Sequence, residues 1–133
     1  KNGKDWIAHD GRVILNSELT VNPPSPLSYA FCTDTAYRRE LKSFFTNVNL
    51  LYHESTFIDE DKVLAKKTLH STARQAAVSA GETGSKNLLL GHYSMRYSDK
   101  QVFKEEAIQY FKNVYLSEDA IKLCVDNNGV FLE

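Results

Sequence analysis

The sequence is short of most residues that would declare its chemistry outright. It holds two cysteines, one methionine, one tryptophan and three prolines in 133 residues. Cys32 and Cys124 share no CxxC spacing and stand at the ends of segments predicted as strands. That excludes a disulfide framework and predicts reduced core residues in a cytoplasmic protein. Neither charge is in excess: 16 Lys and Arg face 17 Asp and Glu, for a formal net charge of −1. No global basic surface announces nucleic-acid binding, so any phosphate contact must be local. The apolar runs are far too short to cross a bilayer, and neither a membrane span nor a signal peptide is expected. Compact histidine motifs are missing too: no HxH, HxxxH or HxxEH spacing joins any of the four histidines.

What remains is an ordinary globular composition, 42% hydrophobic and 25% charged, in a length that suits a single domain over residues 1–133. The chain opens at Lys1 in a polar stretch without methionine. It reads as a cut through a longer polypeptide, or as a trace of recombinant expression.

The patterning alternates strand and helix. Strands are predicted over 11–16, 27–33, 48–53, 87–90 and 114–117. Helices are predicted over 36–47, 59–70, 72–81 and 100–113, with a hairpin around Asn127-Asn128-Gly129. The adjacent prolines of 21–26 forbid regular structure there. Tyr37, Leu41, Phe44 and Phe45 give 36–47 an apolar helical face. Thr72 and Gln75 have capping-box spacing, and Gly81 suits the helix stop. Strands separated by helices of about ten residues argue for an α/β layered sheet.

Three apolar strands end in chemically useful side chains: "AFCTDT" in Asp34, "LLYHEST" in His53, Glu54 and Thr56, and "LLLGHYS" in His92 and Ser94. In open α/β sheets the carboxyl ends of the strands line the ligand crevice, so these segments converge on one edge. A fourth, "HSTARQ", sets His70 ahead of a helix N-terminus, where backbone N–H groups favour an anion. Carboxylate and imidazole together suit zinc or manganese, and paired metals activate water for displacement at phosphorus. Plainer roles stand beside these. Asp34 suits a helix N-cap, His53 a core histidine, Glu54 and Thr56 a turn, and His70 and Ser71 a helix entry. His92 suits a structural strand end and Arg96 a surface charge.

Taken in order, "CTDT", "LLYHESTF", "HSTARQAA", "LLLGHYSMRY" and the later helix "EEAIQYF" resemble the C-terminal half of ribonuclease Z. That family is the tRNA 3′-end endonuclease of the metallo-β-lactamase superfamily. The resemblance covers roughly residues 28–119. It implies an α/β fold: half of an αββα sandwich, a mixed sheet with flanking helices. It implies a zinc enzyme with two ions, manganese being the alternative, that acts on precursor tRNA as a homodimer. Asp34 takes the place of the carboxylate bridging the metals and His92 that of a terminal ligand. Glu54 and His70 take the place of the catalytic pair, with Glu54 orienting His70 for proton donation to the leaving oxygen. Ser94 and Arg96 correspond to residues that meet RNA phosphate, while Thr56, Ser71 and Thr72 order the two loops.

The superfamily's His-x-His-x-Asp-His motif, a further histidine ligand and the tRNA-binding arm are not in this sequence. His9 precedes Asp34 without partners. The chain alone is therefore expected to hold metal weakly and not to cleave RNA. Two alternatives follow: a non-catalytic RNA-binding or dimerisation partner, and another phosphodiesterase or sulfatase of the superfamily.

Overall fold

A computed structural model describes residues 3–126 and 129–132. Its centre is a four-stranded sheet of β3 (Tyr29–Cys32), β4 (Leu50–Glu54), β5 (Leu88–Gly91) and β6 (Val114–Leu116), parallel throughout and in sequence order. The antiparallel pairing expected of a mixed sheet lies outside it, in two separate ladders. These are β1 (Trp6–Ile7) with β2 (Val13–Ile14), and β7 (Leu123–Val125) with β8 (Val130–Leu132). The last pair is the expected hairpin, although Asn127 and Asn128 at its turn lie outside the described residues.

Parallel strands need crossover connections, and helices supply them. Besides the short α1 (Asn16–Leu19), α2 (Lys62–Thr68) and α3 (Ala73–Glu82) join β4 to β5, and α4 (Gln101–Ala107) joins β5 to β6. One sheet row, Ala30, Leu51, Leu88 and Val114, packs with Leu90 against Ala73, Ala76, Ala77, Ala80, Phe103 and Ala107. The alanines let α3 approach the sheet closely, and Phe103, wholly buried, fills the space between. The interior strand β5 is buried at every residue, which is why it reads as an unbroken apolar run. On the opposite face of β3, Tyr29 and Phe31 are exposed, and Phe31 stacks on Tyr52 with ring centroids 4.6 Å apart.

Two predicted elements take another form. Residues 36–47 form only a 3-10 turn at Arg39–Ser43, with Phe44 solvent-exposed and Phe45 packed on the core. Long-range bonds pin both ends. Thr35 N–H donates to Glu54, Tyr37 Oη–H to Glu82, and Asn47 N–H to the Thr83 carbonyl. With its ends held by these bonds the segment takes only the 3-10 turn between them. The helix predicted to stop at Gly81 runs on to Glu82, and the left-handed turn falls at Gly84, φ +65°. A Cβ there would stand 2.6 Å from the Asn47 side chain. The predicted capping box is present. Gln75 N–H donates to Thr72 Oγ1, and Thr72 N–H donates to Gln75 Oε1. No disulfide joins Cys32 and Cys124, and no helix among the described residues is long and apolar enough to cross a membrane.

Candidate metal centre

The carboxyl ends of β3, β4 and β5 meet at one edge, and Glu54 is the hub there. It is wholly buried, yet both carboxylate oxygens are satisfied. Oε1 accepts from Thr35 N–H (2.6 Å) and His70 Nδ1–H (2.8 Å). Oε2 accepts from Thr56 Oγ1–H (2.6 Å), Ser71 N–H (3.1 Å) and Thr56 N–H (3.4 Å). Burial pushes the Glu54 carboxyl pKa up. The bonds from Thr56, His70, Ser71 and Thr35 outweigh burial and hold it below its ordinary value, so Glu54 is an anion.

That anion fixes which nitrogen of each neighbouring imidazole donates. An ionised carboxylate only accepts, so His70 donates from Nδ1, and Nε2 is the nitrogen left for a metal or a substrate. Thr56 has one hydroxyl proton and gives it to Glu54. Its oxygen must therefore accept from His92 Nδ1–H, 2.8 Å away, which leaves His92 Nε2 as the nitrogen available to a metal. His92 Nε2 stands 3.4 Å from Asp34 Oδ1. The ligand atoms of Asp34, His70 and His92 all lie within 4.8 Å of one another. Two imidazoles fixed by one buried carboxylate, one directly and one through a hydroxyl, beside an exposed aspartate form a donor set that fits a divalent cation. It offers three ligand atoms where a closed zinc site takes four.

The backbone is strained where these candidate ligands sit. Asp34 (φ 48°), His92 (φ 59°) and Leu69 (φ 61°), the residue before His70, are all left-handed. Such positions cost about 1–2 kcal/mol each and persist only where the surroundings impose them. Gly91 permits the approach of β5 to β4, because a Cβ there would run into the Tyr52 ring and the Ser117 hydroxyl.

The remaining predicted residues fall around this edge. Ser71 Oγ–H donates to the Thr35 carbonyl (2.7 Å), tying the loop before α3 to the loop after β3, and Thr72 caps α3. Ser94 N–H donates to the Thr56 carbonyl (3.0 Å), and Ser94 lines a cavity of about 510 Å³ beside His92. Arg96 sets its guanidinium 5.8 Å from the Phe57 ring centroid. Asp34 caps no helix, since the segment after it is irregular up to Arg39. His53 is apart from the group and wholly buried. Its Nδ1–H donates to the Glu54 carbonyl, and burial lowers its pKa. The sequence reading missed Thr35, whose backbone amide and carbonyl serve both Glu54 and Ser71. No side-chain pattern could have marked a residue that acts through its main chain.

This architecture defines a metallo-β-lactamase-type fold. The metallo-β-lactamase fold protein YhfI of Bacillus subtilis aligns at a TM-score of 0.63 and 23% identity, over 68% of this chain and 37% of its own. At the level of the particular protein, the likeness is to ribonuclease Z. The ribonuclease Z of Porphyromonas gingivalis (strain W83) is 43% identical over 121 residues, 91% of this chain and 40% of its own length. That of Parabacteroides distasonis is 43% identical over 125 residues, 94% of this chain and 41% of its own. No protein-family model matches the chain. The resemblance carried by the motifs thus extends over nine-tenths of the chain, which spans about two-fifths of the length of these relatives.

Proposed function

We propose that this chain is the C-terminal part of a metal-dependent endoribonuclease that trims the 3′ end of precursor tRNA, working in the cytoplasm as a homodimer. The observation that carries the reading is the convergence of Asp34, His70 and His92 ligand atoms within 4.8 Å, with both imidazoles oriented from one buried glutamate. Identity of 43% to proteins named ribonuclease Z supports the reaction class. Asp34 and His92 would hold zinc, or manganese, together with ligands outside this chain. A bound divalent ion supplies Lewis-acid stabilisation and a water acidified for attack on phosphorus.

The chain's own residues supply the rest. Glu54 fixes the His70 ring with Nε2 toward the centre; in this role His70 is not a metal ligand, and its protonated form gives the Nε2 proton to the leaving oxygen. Thr56 turns His92 Nε2 toward Asp34. Ser71 and the Thr72 cap hold the His70 loop against the Asp34 loop. Ser94 and Arg96 offer a hydroxyl and a guanidinium for phosphate.

The test is to join this chain to the remaining part of the P. gingivalis protein and assay a precursor tRNA bearing a 3′ trailer. Cleavage is expected. Asp34→Ala or His92→Ala should reduce it by about three orders of magnitude or more. Full activity in both variants would overturn the assignment.

A further inference from the structure

A second cavity, of about 720 Å³, opens on the His70 side of the centre, lined by Ala36, Tyr37, Lys62, Val63, Lys66, Leu69, His70 and Gln75. Its size is that of a small-ligand site. Its walls mix two kinds of group that seldom share a plain surface groove. Val63 (78% exposed) and Leu69 (69%) form an apolar lip, with the Tyr37 ring behind, held through its hydroxyl by Glu82. Lys62 and Lys66, one helical turn apart on α2, set two ammonium groups on the same wall. Lys62 reaches Asp59 only at 3.8 Å, and Lys66 makes no ion pair among the described residues. Leu69 is held outward because it ends α2 in the left-handed conformation, which also delivers His70 to the centre.

We propose that this groove seats single-stranded RNA adjoining the scissile phosphate, with backbone phosphates on Lys62 and Lys66 and a base against Leu69, Val63 and Tyr37. Cations that track a backbone beside apolar or aromatic surface that takes a base are the combination by which unpaired nucleic acid is held without sequence readout. His70 belongs both to the lining of the groove and to the Asp34–His70–His92 cluster, so the groove borders the proposed centre. The inference rests on the reading of the site as a ribonuclease centre.

It is tested on this chain, without metal, by fluorescence anisotropy of a labelled oligouridine octamer across a salt series. The wild type is expected to bind at low salt. K62Q/K66Q is expected to weaken binding about fivefold to tenfold and to flatten the log–log salt slope by about 1.4, as two lost phosphate contacts require. Leu69→Asn keeps a residue that tolerates the left-handed backbone and is expected to weaken binding about threefold with the salt slope unchanged. If Arg96→Gln weakens binding but K62Q/K66Q and Leu69→Asn do not, the groove is not the RNA path, while the ribonuclease reading stands. If the wild type binds no RNA at low salt, the RNA-binding reading of the site fails, and this inference with it.

Discussion

Residues 3–27 and residues 48–57 both carry large apolar side chains, and they fare in opposite ways. In the first stretch no residue is buried: Trp6 is 51% exposed, Ile7 68% and Val21 93%. In the second, every residue but Tyr52 is buried, Glu54, Ser55 and His53 among them. The difference is pairing. A two-residue ladder gives Trp6 and Ile7 nothing to pack on, whereas β4 lies between two parallel neighbours and beneath α3. The lesson concerns the polar groups as much as the apolar ones. A carboxylate can be buried at the end of β4 because rigid neighbours bring five hydrogen bonds to it.

The contrast can be broken first in the core. Phe103→Ala should cost about 3–5 kcal/mol in urea unfolding followed by circular dichroism, since the void lies between α4 and the sheet. Glu54→Gln comes next, at about 1–3 kcal/mol near neutral pH, because an amide cannot accept from all of the donors that face it. This loss should depend on pH. The Glu54 pKa is depressed in the folded protein, so its contribution is present above the ordinary carboxyl range and disappears as pH falls through the lowered native value. Urea midpoints of wild type and variant should therefore converge in acid; a constant gap would contradict the buried anion. On the proposed metal reading, Thr56→Val should lower divalent-ion affinity by about tenfold, measured by competition with a chromophoric chelator, because it frees the His92 ring without removing a proposed ligand. Smallest of all, Trp6→Ala should shift stability by less than about 0.5 kcal/mol. A cost like that of Phe103→Ala would mean that the N-terminal segment is packed after all.

Much of this was legible in the sequence. Period-2 and period-3.6 patterning located the four parallel strands and α3, and the Thr72–Gln75 spacing gave its cap. The rule that strand ends line the crevice brought Asp34, Glu54 and His92 together. Local pattern failed where long-range bonds decide. Residues 36–47 have a helical face, but their ends are tied to Glu54, Glu82 and Thr83 and only a 3-10 turn forms between. Gly81 was a plausible stop, yet the position that demands glycine is Gly84, because Asn47 occupies the space a side chain would need. The passage of orientation from Glu54 through Thr56 to His92 joins residues 36 positions apart and leaves no periodic trace.

The central claim is that one buried carboxylate fixes both imidazoles with Nε2 facing Asp34. Long-range proton–nitrogen correlation NMR of the metal-free chain, recorded at a pH where the imidazoles are neutral, reads this directly, since it distinguishes the two neutral histidine tautomers. His70 and His92 should both appear as the Nδ1–H form, the minor one for an unconstrained imidazole, and His92 should lose that preference in Thr56→Val. Finding either ring as the Nε2–H tautomer in the wild type would contradict the account.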